Sequence, residues 1–347
     1  MESIRQKVGT GRLSDGDVRA VQAFVDEQMD LMLYEHDISA IVALRQSLVR
    51  QKGTAPSQYS LQYVKAVKSG IQNAFEKIKL QSNSTGRFYV QLNLLILAAE
   101  MESVEFADFG LNQLNSPDAA IQYWALKTIA SPAIADQLSA VGTADEEVKG
   151  RIMSALKAAV RKGLYPASLT QVVSFVNAFE DKSAYELLIQ IAEQRMKAYE
   201  SWHVDYELLE ADILKALAKK TLTANSVSQK TACAKNYAQL YSYVIQRFIL
   251  GQDVLDAESK LKLTSVIADV ENATIGPEKF LDMSQQGFRQ ALIKKDLADL
   301  QNEHDKLLGS EKRAGRLATD VKFDYGKSST GDPVTAPKKL PNPVKFD

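Results

Sequence analysis

Apolar residues recur at intervals of three and four along almost the whole chain, and period-two alternation is nearly absent. Such spacing gives each segment one apolar stripe on a helical surface and leaves no run that reads as a half-buried strand. Val18, Val21, Ala23, Phe24, Met29, Leu31 and Met32 trace a first helix, with Ser14 or Asp15 placed to cap it. A second covers about 38–50 and stops at Gly53. A third follows Pro56-Ser57 and carries Leu61, Val64, Val67, Ile71, Phe75 and Ile78 on one face. The segments 86–101, 104–114, 118–130, 145–162, 167–179, 182–201, 205–220, 227–250, 256–271 and 279–308 read the same way. The expected fold class is all-α.

Proline and glycine punctuate these helices. Pro56, Pro117, Pro132, Pro166 and Pro277 each fall where the apolar period lapses, as suits a residue tolerated in a first helical turn. Ser116-Pro117-Asp118 and Gly276-Pro277-Glu278 read as helix starts. Gly53, Gly163, Gly251 and Gly309 follow helical runs and suit a left-handed closing position.

Short connections make consecutive helices antiparallel neighbours. So many helices rarely share one core, and stacking them as hairpins is the usual solution. Ile121, Gln122, Ala125, Thr128 and Ile129 have counterparts at the same offsets in Val148, Lys149, Ile152, Ala155 and Leu156, and in Leu209, Glu210, Ile213, Ala216 and Leu217. An acidic residue ahead of a Val-basic pair, then Ala and Leu on the buried face, resembles the second helix of HEAT repeats. The resemblance is clearest over about 104–162 and implies an irregular α-solenoid. The basic residue stands only at Lys149, and the intervals of 27 and 61 residues depart from the usual repeat of about 40–47. A compact multi-helix bundle is the alternative.

Composition excludes more than it selects. The 347 residues carry 42 Lys+Arg and 43 Asp+Glu, a net charge of -1, which argues against a nucleic-acid binder working through a broad basic field. The lone Cys233 excludes an intramolecular disulfide and a multi-cysteine zinc site. His36, His203 and His304 are far apart in sequence, and no phosphate-cradling, dinucleotide, His-Glu-x-x-His or Gly-x-Ser-x-Gly pattern is present. No cofactor or metal is expected. Met1 to Lys7 is polar, and the longest apolar stretch, Leu92–Ala99, is too short for a bilayer, which takes about 20 residues. No integral membrane segment is expected. The absence of a leader points to the cytoplasm, with export after leader removal as the alternative. Asn83-Ser84-Thr85 and Asn272-Ala273-Thr274 match the glycosylation pattern, which carries meaning only in a eukaryotic secretory pathway.

Two readings compete at each candidate site. Cys233 lies inside a helical run and reads as a buried small hydrophobe. Asp205, Glu207, Glu210 and Asp212 beside Trp202-His203 are either acids favouring a helix start or an acid–base site at 199–212. Tyr237, Tyr241, Val244 and Phe248 form a stripe that reads as core, while Tyr243 and Arg247 lie on an adjoining face as interface anchors. Ile293, Leu297, Leu300, His304 and Leu307 form a short heptad seam. It either docks on the preceding helix pair or serves as a dimer or partner seam.

Domain organisation is read as a helical-repeat domain over 1–309 and a tail over 310–347. The tail holds eight Lys+Arg against five Asp+Glu, and Pro333, Pro337, Pro341 and Pro343. Phe323, Tyr325, Val334, Val344 and Phe346 are too sparse for a core of their own, so it reads as disordered or extended. Pro337-Lys338-Lys339-Leu340-Pro341 favours polyproline II and suits a recognition peptide or an arm along the body. The expected function is a non-catalytic scaffold that binds a protein or peptide through its helical surface. An assembly subunit self-associating through the last helix or tail, and an enzyme with an unrecognised groove site, are the alternatives.

Overall fold

A computed structural model of the chain describes residues 1–6, 13–53, 57–79, 84–140, 146–283 and 286–343. The fold is all-α; among the described residues the one sheet is a ladder of two-residue strands. Contacts divide the chain into two compact units, Met1–Ala159 and Val160–Asp347. The division falls within a helix and not at 309/310, where composition changes.

The first unit contains α1 (Glu2–Gln6), α2 (Asp15–Tyr34), α3 (Ile38–Gln51), α4 (Gln58–Lys79) and α5 (Ser84–Glu100). A 3-10 turn (Val104–Phe106) leads into α6 (Ala107–Gln113), α7 (Ala119–Ile129), α8 (Pro132–Ser139) and α9 (Glu146–Lys162), within which the division falls. Starts follow local chemistry: Ser14 and Asp17 form a capping box, Asp118 accepts from Ala120 and Ile121 N–H, and Pro132 opens α8 behind Ser131. Pro117 lies just ahead of its helix, and Asp118 is the cap. α2 packs on α3 and α4, α3 on α5, and α5 on α7. Contact with the next helix and the next but one is the signature of stacked hairpins. Val25, Met32, Leu48, Tyr63, Val67, Ile71 and Leu97 fill the core. Leu61, counted on the α4 stripe, is instead 61 % exposed. The eight residues of α8 were too few to show a period.

The second unit continues with α10 (Pro166–Ala178), α11 (Lys182–Glu200), α12 (Leu209–Thr223), α13 (Val227–Leu250), α14 (Ala257–Thr274), α15 (Gly287–Lys294) and α16 (Leu297–Leu308). β1 (Gly309–Ser310) pairs antiparallel with β2 (Arg313–Ala314), and α17 (Arg316–Val321) follows. α13 is the hub, packed by α11, α12, α14, α16 and α17. Tyr237, Tyr241 and Val244 are fully buried in it.

Several expectations are corrected here. The segment 279–308 is not one helix. Ile275 bridges Leu281, Gly276 has φ 137° and Glu278 φ 60°, so Gly276-Pro277-Glu278 makes a turn and starts no helix. α15 begins instead where the Glu271 carboxylate accepts from Phe288 N at 2.9 Å and Arg289 N at 2.8 Å. Lys295, at φ 54°, then separates α15 from α16. The heptad seam is therefore broken: Ile293 is 71 % exposed and Leu297 half-buried, whereas Leu300, His304 and Leu307 are buried within the unit. Gly251, at φ -88°, is not left-handed; its lack of a side chain matters because a Cβ would strike Arg247 O and Leu255.

Residues 310–343 are integrated with the second unit, and Val344 and Phe346 lie outside the described residues. Leu317, Ala318 and Leu340 are buried singly against it, which is why sparse apolar residues suffice without a core of their own. Tyr325 OH donates to Leu308 O at 2.7 Å, and Thr335 Oγ1 donates to Ser310 O at 2.8 Å. Gly309 makes this possible: at φ 108°, with Thr335 O directly against it, no Cβ fits.

Candidate interaction site

The candidate site lies on α13 and on the loop joining α11 to α12. Gln239, Ser242 and Gln246 stand at i, i+3 and i+7, a polar stripe on a mostly buried helix. Residues 337–341 run along that stripe without helix or turn. Gln239 clasps Lys338 at two points, its Oε1 accepting from Lys338 N at 2.8 Å and its Nε2 donating to Lys338 O at 3.2 Å. Gln246 Nε2 donates to the same carbonyl at 3.1 Å, while Gln246 Oε1 accepts from Leu340 N at 2.7 Å. Trp202 Nε1 donates to Pro341 O at 2.8 Å. Engagement of alternate N–H groups, 338 and 340, by one helix face marks extended backbone. Pro337 and Leu340 are buried and three apart, the period of polyproline II, whereas Lys338 and Lys339 are exposed.

Trp202 is set in place by buried charge. It sits at φ 62° in the loop, so α12 starts at Leu209 and not near 205. The Arg247 guanidinium lies 5.2 Å from the Trp202 ring centroid and 5.8 Å from that of Tyr199. Arg247 also donates to Trp202 O at 3.0 Å and faces Glu207 at 3.5 Å. Tyr243 stacks on Tyr199 and donates to Glu200 at 2.9 Å. Read from sequence as interface anchors, Arg247 and Tyr243 are only 4 % and 1 % exposed. Their amphipathic bodies are used inside the unit, and Arg247 bears on the surface only through Trp202.

A polar relay underlies Gln246. Gln246 Nε2 donates to Ser242 Oγ at 2.7 Å, Ser242 Oγ lies 2.8 Å from His304 Nε2, and His304 Nδ1 lies 2.9 Å from Asp305 Oδ1. Burial holds the His304 pKa below its ordinary 6.5, against the pull of Asp305. A neutral imidazole donating to Asp305 from Nδ1 must accept at Nε2, so Ser242 donates to it. Ser242 then receives the Gln246 N–H, which turns Gln246 Oε1 toward Leu340 N. The order Ser–His–Asp matches that of acyl-transfer triads. Here Ser242 is fully buried in mid-helix with its oxygen engaged by Gln246, and the constellation orients an amide.

Three of the acids at 199–212 lie on separate cations, Glu207 on Arg247, Glu210 on Arg195 and Asp212 on Lys215. Arg195 pairs with the fully buried Glu210 at 2.6 Å and donates to Asp205 O at 2.9 Å. Asp212 faces Lys215 at 3.6 Å. Burial lifts the Glu210 pKa to about 7 despite Arg195. His203 is exposed and Glu207 buried, so the acid–base reading gains no shared site. Cys233 is fully buried, its thiol pushed up to about 12 by desolvation. Among the described residues no three His, Cys, Asp or Glu side chains gather as a metal would need, and no helix is long and apolar enough to cross a membrane.

Lys338 and Lys339, expected from sequence as interaction residues, lie in this segment with their side chains exposed, and its backbone carries the contacts. Gln239, Gln246 and Trp202 were missed; the available signal was the i, i+3, i+7 polar stripe inside an otherwise apolar helix.

No family model matches this chain, and no curated protein does. Among solved structures it is similar to a crystal structure of an engineered protein at 15 % identity, over 72 % of this chain and 96 % of that one, with a TM-score of 0.26. A superposition that loose carries no weight for fold or function.

Proposed function

We propose that the chain is a non-catalytic scaffold that binds extended peptide segments on a helical-repeat surface. The observation that supports this is the two-point clasp of Gln239 on the Lys338 backbone, joined by Gln246 and Trp202. Side-chain amides on a helix that pair with main-chain N–H and C=O groups read backbone, and so accept sequences that differ at the outward positions. The hairpins beneath are HEAT-like in this reading. Ile121, Ala125 and Ile129, and Leu209, Ile213 and Leu217, are buried at matching offsets. Where the family has a basic residue α12 has Glu210, which pairs with Arg195 of the preceding helix; a charge tie between neighbours is kept with the signs exchanged.

The test frees the surface within the full chain. Leu340→Asp should expel the segment, with circular dichroism confirming retained helix. Panning a random peptide library on this variant should enrich binders that are lost when Gln239→Ala and Gln246→Ala are added. Absence of enrichment over an uncoated control would end the reading.

A further inference from the structure

We infer that the surface made by Gln239, Gln246 and Trp202 recognises the pattern Pro-x-x-Leu-Pro in another protein, and that residues 337–341 are its resident, displaceable occupant. This rests on the peptide-binding reading and goes further by naming the ligand class and how access to it is controlled.

The pattern follows from what the surface uses and what it ignores. The two N–H groups taken are those of Lys338 and Leu340. Proline has no N–H to leave unpaired, so Pro337 and Pro341 suit the positions on either side. Both also restrict the unbound segment toward the extended form, reducing the ordering cost of binding. Pro337 and Leu340 are the side chains buried on the surface, and Pro341 O takes the Trp202 indole N–H. The two intervening lysines point outward. Lys339 meets Glu311 at 2.5 Å with both side chains at least 75 % exposed, a pair worth little. The surface therefore buries two of the five side chains, engages Pro341 through its carbonyl with the ring favouring the extended form, and leaves the two lysines open.

Displaceability follows from the connection. Residues 325–334 fold back on themselves through Tyr325 N to Val334 O and Val334 N to Gly326 O, with an exposed tip over 328–332. The contacts made by 337–341 lie beyond this tip, and none depends on its continuity. A free segment of the same pattern meets the same partners, differing only in the effective concentration that the covalent link confers.

The experiment keeps the whole chain. A protease site is inserted at the exposed tip, at Ser329-Thr330, and cut after folding, so that the resident segment is held by its contacts alone. A fluorescent peptide of residues 335–343 is then followed by anisotropy, while the cut segment is followed by mass spectrometry of the flow-through. The inference expects saturable peptide binding with stoichiometric release of the cut segment. Replacing the peptide leucine by aspartate should weaken binding about tenfold or more, and Gln239→Ala with Gln246→Ala in the chain should do the same. Exchanging both peptide lysines for serine should leave binding within about twofold. The inference is overturned if the peptide fails to bind once the cut segment has left, or if the segment never leaves. It is also overturned if light scattering shows the uncut chain as a dimer with exchanged tails, since the occupant would then belong to a second copy. If library selection on Leu340→Asp yields binders of another pattern while this peptide fails, the peptide-binding reading survives and this inference does not.

Discussion

The two units are built from similar hairpins but differ in what they bury. Among the described residues, the first unit buries Arg45, Asn93, Thr128 and Ser131 as its polar or charged groups. The second buries Glu207, Glu210, Lys220, Arg247, Glu271 and His304, besides Ser168, Thr221, Ser242, Gln246 and Thr274. Removing charge from water is costly unless partners are supplied. The second unit supplies them: Lys220 reaches Phe179 O at 2.8 Å and Glu180 at 3.0 Å, and Arg195 holds Glu210 at 2.6 Å. The one charged group buried among the described residues of the first unit, Arg45, pairs with Glu100 at 2.8 Å, and the unit otherwise rests mainly on apolar stripes. Of the polar groups inside the second, Arg247 holds Trp202, and Ser242 backed by His304 holds Gln246, while Lys220 and Glu271 tie down neighbouring helix ends.

The largest expected effect tests this contrast directly. At about pH 8 or above, Glu210 is charged in the parent. There Arg195→Ala removes the cation of a buried carboxylate and should destabilise the second unit by about 3–5 kcal/mol. The cost should be smaller at acid pH, where Glu210 is neutral. The matched apolar deletion in the first unit, Leu97→Ala at a fully buried site, should cost about 2–5 kcal/mol. Denaturant unfolding followed by circular dichroism measures both. If Arg195→Ala costs less than about 1 kcal/mol, the buried charges do not hold the second unit together.

Gln246→Ala comes next, removing the contacts to Lys338 O, Leu340 N and Ser242. A loss of about 1–3 kcal/mol is expected, with hydrogen exchange rising over 337–341 and unchanged in the first unit. Equal exchange in both variant and parent would remove Gln246 from the site.

Two pH effects of opposite sign follow. His304, with its folded pKa lowered from 6.5 by burial, binds a proton less readily folded than unfolded. Its contribution is complete above about 6.5 and is lost as pH falls through the folded value. Protonation also makes Nε2 a donor, so Ser242 can no longer donate there and the orientation of Gln246 weakens. Acid should therefore raise exchange at 337–341, and His304→Asn should flatten that dependence. Glu210, raised from 4.5 to about 7, keeps its proton longer when folded. Its contribution is complete below about 4.5 and is lost as pH rises through about 7. Glu210→Gln should remove that alkaline-side loss in thermal melts; an unchanged profile would discount the burial of its charge. The smallest effect is Lys339→Ala, which removes an exposed pair and should leave the melting temperature unchanged.

Much of the fold was legible because burial on one face writes a period into sequence. Ser14, Asp118 and Pro166 marked helix starts, and of the stripe Tyr237, Tyr241, Val244 and Phe248 that reads as core, the first three are fully buried and Phe248 is half-buried. The helix start capped by Glu271 depends on partners 17 and 18 residues away, which no local period records. The turn at Ile275–Leu281 and the break at Lys295 are closed by short-range backbone hydrogen bonds, which an apolar period does not record either. Tyr243 and Arg247 looked like surface anchors because helical spacing gives their angle on α13, whereas their burial depends on what α11 and its following loop place there. The site was less legible than the fold: Gln239 and Gln246 have ordinary side chains, and their partners lie 92 to 99 residues away.

By itself the sequence determined that the chain is helical, where most helices begin and end, and that residues after 309 cannot build a core of their own. Tertiary structure alone decided that residues 337–341 lie on α13, which buried charges position Trp202, and which way Gln246 faces. The difference is physical. Helix formation depends on neighbours within about four residues, whereas desolvation and hydrogen-bond partners depend on whatever the fold brings alongside.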